Sequence, residues 1–294
     1  MRFAGLIALL FWLVACAPVP RPVSDPFIYD EAAFARADHL VIGIPGALSP
    51  IALLAPLENL AEPGRVVAFY RLPGFDGRPA DEYVNIDFAA AHIAATARAG
   101  GFARVDLVGH STGSAIALEA AKLLRREAPQ VQVRIAGIST ALPAPQPTLA
   151  GVRGTIGAVG AATRARSLSP REVWLEYYRT LAFGRNVDAN PEIARAADAL
   201  VAANKDRIAL PQNGLGQRHT RALRRWTNNA PETLQGVDIT LYHGASDPIF
   251  PARAVARFAK SLPQAEVQLI TGHGHLLMLT YPELWARIAD QLKR

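Results

Sequence analysis

Gly109-His110-Ser111-Thr112-Gly113 stands between an apolar run, Val105-Asp106-Leu107-Val108, and a helical run from Ser114 to Glu127. A strand that becomes a helix within five residues brings the two elements almost into contact. Gly109 and Gly113 suit such a crossing because they carry no Cβ to collide there. The middle residue of so sharp a turn is held in a strained backbone geometry, with its side chain pushed out past the strand end. That residue is Ser111. The N–H of Thr112, at the start of the helix, has no partner inside the helix and faces the same point.

A serine hydroxyl is a poor nucleophile at neutral pH. It needs a base to take its proton and a third group to orient that base. Both can be read downstream. The run Val237-Asp238-Ile239-Thr240-Leu241-Tyr242 reads as a buried strand and ends in His243-Gly244-Ala245-Ser246-Asp247-Pro248, so Asp247 lies in the loop after it. Ala265-Glu266-Val267-Gln268-Leu269-Ile270 reads as a later strand, followed by Thr271-Gly272-His273-Gly274-His275. Asp238 competes poorly with Asp247, because it begins a strand instead of following one. The strand ending at Ile138-Ser139-Thr140 offers no carboxylate at all. His273 and His275 share one loop, and spacing alone leaves both open.

Taken together, these segments resemble the α/β-hydrolase family. Gly109 to Gly113 is similar to its nucleophile elbow, Gly244 to Pro248 to its acid loop, and Gly272 to His275 to its Gly-x-Gly-His pattern. Arg71-Leu72-Pro73-Gly74-Phe75-Asp76-Gly77 is similar to the loop after the family's fourth strand. The resemblance covers residues 38–140 and 236–294. It implies an α/β fold: a mostly parallel sheet flanked by helices, with a helical cap inserted after the sixth strand. It implies Ser111 as nucleophile, His275 as base in preference to His273, Asp247 as its partner, and no cofactor. In the family the loop after an early strand carries His-Gly, and the next residue supplies a second oxyanion N–H. Here the strand Asp38 to Ile44 runs into Pro45-Gly46-Ala47-Leu48. Proline has no N–H, so Ala47 joins Thr112 as the expected oxyanion-hole donor.

The activity this implies is hydrolysis of carboxylic esters, as in an esterase or lipase. A peptidase or amidase, a thioesterase, an acyltransferase or a perhydrolase would carry the same three residues. A binding lipoprotein on the same scaffold is the rival from another class. Haloalkane dehalogenases differ, having aspartate where Ser111 stands. His110 reads as a packing or hydrogen-bonding residue, and His39, His92, His219 and His243 show no metal-ligand spacing, so no metal is expected.

The chain opens Met1-Arg2, and Phe3 to Val14 is an apolar run of 12 residues, too short to span a membrane. It ends Leu13-Val14-Ala15-Cys16, similar to the bacterial lipobox, in which the cysteine is lipidated and becomes the first mature residue. Cys16 is the only cysteine. The expectation is a signal peptide over 1–15, a lipid anchor on Cys16, and a Pro-rich tether within an N-terminal segment 16–37. Such a chain is held at a bacterial cell envelope. Ala17 in place of an aspartate slightly favours the outer membrane.

Strands are expected near 38–44, 65–70, 104–109, 131–138, 237–243 and 265–271, alternating with helices, which points to a parallel sheet. Only about 20 residues separate the tether from the first good strand, so the family's two opening antiparallel strands are expected to be short or missing. The stretch 141–235 is different. It opens Pro-rich, continues through a small-residue segment from Gly151 to Ala162, and then shows helical patterns near 169–183, 190–204 and 217–228. It reads as the cap. Trp174, Tyr177, Tyr178, Phe183 and Trp226 either line an apolar pocket or form the cap's own core. This stretch holds 13 Lys/Arg against 7 Asp/Glu, while the rest of the chain balances 18 against 18, so the formal excess of +6 lies wholly in the cap. Arg218, Arg221 and Arg225 fall on one helical face with Arg224 beside them. That face meets either solvent or anionic lipid headgroups. No nucleic-acid motif is present.

Overall fold

The computed structural model describes residues 25–82, 84–206, 208, 210 and 214–293. The expected signal segment, Cys16 and most of the tether lie outside the described residues. Strands β1 (Phe27–Ile28), β2 (His39–Ile44), β3 (Arg65–Tyr70), β4 (Arg104–His110), β5 (Gln132–Ile138), β6 (Asp238–Gly244) and β7 (Ala265–Ile270) form one sheet in the order β1-β3-β2-β4-β5-β6-β7. Strands β2 to β7 are parallel. Only β1 runs antiparallel, pairing Phe27 with Tyr70 and Ile28 with Phe69. The expected shortening of the opening strands thus takes the form of one two-residue strand at the sheet edge.

The central strands are apolar almost throughout because both faces are covered. Val41, Ile42, Leu107, Val108, Ile135, Ile239 and Leu241 are fully buried, each contributing roughly 1.5–3 kcal/mol. Their side chains alternate between two cores. Leu40, Ile42, Ile44 and Leu107 pack with helices α2 (Ile86–Ala99), α3 (Thr112–Glu127) and α8 (Ala252–Ala259), after the short α1 (Glu31–Phe34). Val41, Val67, Val108 and Ala136 pack on the other face with 3₁₀ turns at Ile51–Leu60, α9 (Leu277–Thr280) and α10 (Leu284–Lys293). Helix α2 starts at Asn85, whose side chain accepts from the Phe88 N–H at 3.0 Å, a cap worth about 1 kcal/mol.

The insertion lies between β5 and β6: α4 (Gln146–Ala165), α5 (Pro170–Phe183), α6 (Pro191–Asn204) and α7 (Leu215–Arg225). The last three match the expected helices. The first does not follow from the pattern: the small-residue segment is one continuous helix of 20 residues. Each of its four glycines costs about 1 kcal/mol against alanine, so packing has to supply the difference. A Cβ at Gly157 would lie 2.6 Å from the Tyr177 ring, and one at Gly151 would lie 2.9 Å from the Arg224 guanidinium. The aromatic residues divide. Tyr177 is buried against α4. Tyr178 and Phe183 pack onto the core beneath the cap. Trp226 belongs to the main core, edge-on to Phe258, with its indole N–H donating to Glu119 at 2.7 Å. No helix among the described residues is long and apolar enough to cross a membrane.

Candidate active site

The chain leaves β2 toward β3 on one side and leaves β4 toward β5 on the other. A crevice therefore opens at the carboxyl ends of β2 and β4, where open α/β sheets place their ligands. Ser111 follows β4 at this point. Its backbone has φ 50° and ψ −114°, a conformation that costs a non-glycine residue about 1–3 kcal/mol. Hydrogen bonds hold it there: the Ser111 N–H donates to Ile138 O at 2.8 Å, and the Ser111 carbonyl accepts from Ser114 at 2.9 Å. The elbow glycines are needed on steric grounds. A Cβ on Gly109 would lie 2.5 Å from the Gly113 backbone, and one on Gly113 would lie 2.1 Å from Ile44 O.

The structure brings the three separated residues together. His275 Nε2 lies 3.1 Å from Ser111 Oγ, and His275 Nδ1 lies 2.7 Å from Asp247 Oδ2. Asp247 Oδ1 accepts from the N–H groups of Ile249 at 2.7 Å and Phe250 at 2.9 Å. Burial alone would raise the Asp247 carboxyl, but the neighbouring His275 and His243 and the backbone donor hold it below the ordinary range. Ser111 and His275 are only 7% and 8% exposed, so the centre is screened from bulk water. His273 stands apart, with Nδ1 2.9 Å from Thr280 Oγ1. Asp238 lies at the far end of β6 and is exposed.

The loop after β2 abuts the serine. A Cβ on Gly46 would lie 3.1 Å from Ser111 Cβ and 2.6 Å from His110 Nδ1. Leu48 turns the loop with a positive φ of 59°. Ala47, half-buried, follows Gly46 in this loop. Arg71 to Gly77, after β3, supports the same end: Asp76 Oδ2 accepts from the Ile51 N–H at 2.9 Å, and Pro73 O lies 3.0 Å from His219 Nε2 on α7.

Three supports surround these residues, of which only His110, read as a packing or hydrogen-bonding residue, is evident from the sequence. His110 is buried, with its Nε2 3.3 Å from His275 O, and burial together with the His275 charge pushes its pKa down to about 3. His243 is fully buried with its Nε2 2.8 Å from Phe250 O and 3.4 Å from Asp247 Oδ2. The signal for it was its position at the end of β6, four residues before Asp247. Lastly, the end of α5 holds the histidine loop: the Gly274 N–H donates to Ala182 O at 2.7 Å and the His275 N–H to Leu181 O at 2.6 Å.

Solved structures share this architecture. A thermophilic esterase from Thermogutta terrifontis is 17% identical with a TM-score of 0.62, covering 91% of this chain and 92% of its own. The putative non-heme bromoperoxidase BpoC from Mycobacterium tuberculosis H37Rv is 18% identical with a TM-score of 0.65, covering 94% and 97%. The enol-lactonase from Burkholderia xenovorans LB400 is 14% identical with a TM-score of 0.64, covering 91% and 96%. No curated protein matches the sequence significantly. At these identities the structures speak for the fold alone, but the model of the "Alpha/beta hydrolase family" matches residues 41–288. With that span of the chain matched, this protein belongs to the alpha/beta hydrolase family.

Proposed function

We propose that the protein is a serine hydrolase that cleaves carboxylic esters through an acyl-enzyme on Ser111. The observation that carries this reading is the continuous line of hydrogen bonds from Ser111 Oγ through His275 to Asp247. Ser111 Oγ attacks the ester carbonyl while His275 Nε2 takes its proton. The oxyanion that forms is held by the N–H groups of Thr112 and Ala47. His275 then gives the proton to the departing alcohol as the C–O bond breaks. Water, deprotonated by His275, attacks the acyl-enzyme and restores Ser111. Asp247 fixes the imidazole tautomer and stabilises the imidazolium. No step calls for a cofactor. The names of the Thermogutta esterase and the Burkholderia enol-lactonase support ester chemistry over amide chemistry.

The envelope setting belongs to the same reading: Cys16 carries the lipid, 1–15 is the removed signal, and the catalytic body sits at the membrane surface on its tether. Cys16→Ser is expected to release the protein from membranes.

The deciding experiment is fluorophosphonate labelling beside a p-nitrophenyl ester panel from short to long acyl chains, with peptide and thioester substrates in parallel. The expected result is labelling and ester turnover, both lost in Ser111→Ala. Folded protein that neither labels nor turns over any ester would overturn the reading. Turnover of peptides or thioesters alone would move it to those classes.

A further inference from the structure

The outer face of α4 carries a row of exposed apolar side chains. Leu149, Val152, Ile156 and Val159 are 45, 55, 56 and 65% exposed. Their spacings of three, four and three place them within about 80° of the helix circumference. The other outward residues nearby, Thr148, Thr155 and Thr163, are uncharged. Arg153 is the only charged residue between Gln146 and Thr163, and it turns away, its Nη1 donating to Ile249 O at 3.1 Å. Beyond the helix, Leu168 is 91% exposed. Single exposed apolar residues are ordinary on a protein surface, whereas an aligned row free of charge is not.

The neighbourhood indicates what covers it. The Arg224 guanidinium lies at the flank of the row, over Gly151. Arg221, Arg224 and Arg225 of α7 are exposed, and none has a carboxylate partner among the described residues. Arg166, exposed at the end of α4, extends the basic rim. An apolar strip beside uncompensated arginines is complementary to a bilayer surface with anionic headgroups: acyl chains meet the strip and phosphates meet the rim. A second copy docked strip to strip would bring two arginine rims together. The chain's own apolar segment, Phe3 to Val14, has no charge to meet them.

We infer that the outer face of α4 is a membrane-docking surface for anionic lipid, with the strip entering the interface and the α7 arginines binding headgroups. This deepens the envelope reading and rests on it, because a docked cap orients an enzyme otherwise held through Cys16 alone.

The test uses the full chain carrying Cys16→Ser, which leaves no native cysteine. An environment-sensitive fluorophore is placed at Ile156→Cys, or at Gln130→Cys in the exposed loop before β5 as control. Vesicles are phosphatidylcholine alone or with phosphatidylglycerol, and flotation is recorded for each. The expected result is a blue shift and loss of iodide quenching at 156 on the anionic vesicles, neither at 130, and a weaker response in Arg221→Glu/Arg224→Glu. A chain that floats with vesicles while the probe at 156 stays in water overturns this inference and leaves the envelope reading standing. A blue shift at 156 without vesicles overturns it in favour of a second copy or the chain's own N-terminal segment. Equal response on both vesicle types removes the headgroup part.

Discussion

His243 Nε2 lies 3.4 Å from the same Asp247 oxygen that His275 Nδ1 meets at 2.7 Å. The acid therefore accepts from the backbone pair on Oδ1 and from His275 on Oδ2, while the His243 Nε2–H, beside Oδ2, donates to Phe250 O at 2.8 Å. His243→Leu takes the imidazole away from Oδ2 and strips Phe250 O of its partner. The expected cost is about 1–3 kcal/mol in stability and a fall in kcat/KM of about tenfold. The sign of the pH effect follows from the depressed carboxyl. Its contribution to stability is present above the unfolded pKa and is lost as pH falls through the folded one. Without His243 the folded pKa rises, so this loss begins at a higher pH. Urea unfolding across pH, run beside the pH–rate profile, measures both effects.

His110 gives a second titration of the same sign in a higher pH window. Its pKa is near 3 in the fold and ordinary when unfolded. Below about pH 6.5 the unfolded chain takes up a proton that the folded chain refuses. Stability is then complete above pH 6.5 and falls on acidification by about 1.4 kcal/mol per unit down to about pH 3. His219 and His243, also pushed down chiefly by burial, steepen the slope. His110→Gln is expected to lower the slope by one proton, read from unfolding free energies between pH 4 and pH 7.

Gly46 and Gly113 separate activity from folding. In Gly113→Ala the new methyl meets Ile44 O, a backbone atom that cannot swing away. The expected result is a destabilisation of at least about 3 kcal/mol. In Gly46→Ala the methyl meets the His110 ring and Ser111 Cβ. It wedges the Ala47 loop from the serine, with an expected loss of about 10²-fold in kcat and a smaller change in melting temperature. Steady-state kinetics and calorimetry on the two variants check the contrast.

Gly274→Ala tests the hold of α5 on the histidine loop. Its Cβ would lie 2.4 Å from Leu181 O, so the loop has to retreat and carry His275 with it. A shift of about 1 Å at the base costs on the order of 10²-fold in rate. The expected signature is a reduced kcat, slower fluorophosphonate labelling and nearly unchanged KM.

The parallel sheet was legible because buried parallel strands are uninterrupted apolar runs, and β4, β5 and β6 stand where Val105, Val133 and Ile239 mark them. Ser111, Asp247 and His275 were legible because each follows a strand directly, and strand ends in a parallel sheet converge on one edge. Helix α4 was not. Its glycines argue against a helix locally, and the Tyr177 ring that fits over Gly157 comes from a different helix. His110 was legible as a packing or hydrogen-bonding residue, though not its partner, while His243 was hidden for a related reason. Both partners, His275 O and Phe250 O, are backbone atoms on which side-chain identity gives no information.

The two N–H groups donated from the histidine loop to the last turn of α5 make that helix a doorpost. Ser111 is 7% exposed, and its neighbour His275 is held in place from this helix. If α5 shifted, His275 would go with it and its hydrogen bonds to Ser111 and Asp247 would come apart. One helix of the inserted cap thus carries part of the alignment of the three residues at the sheet's edge.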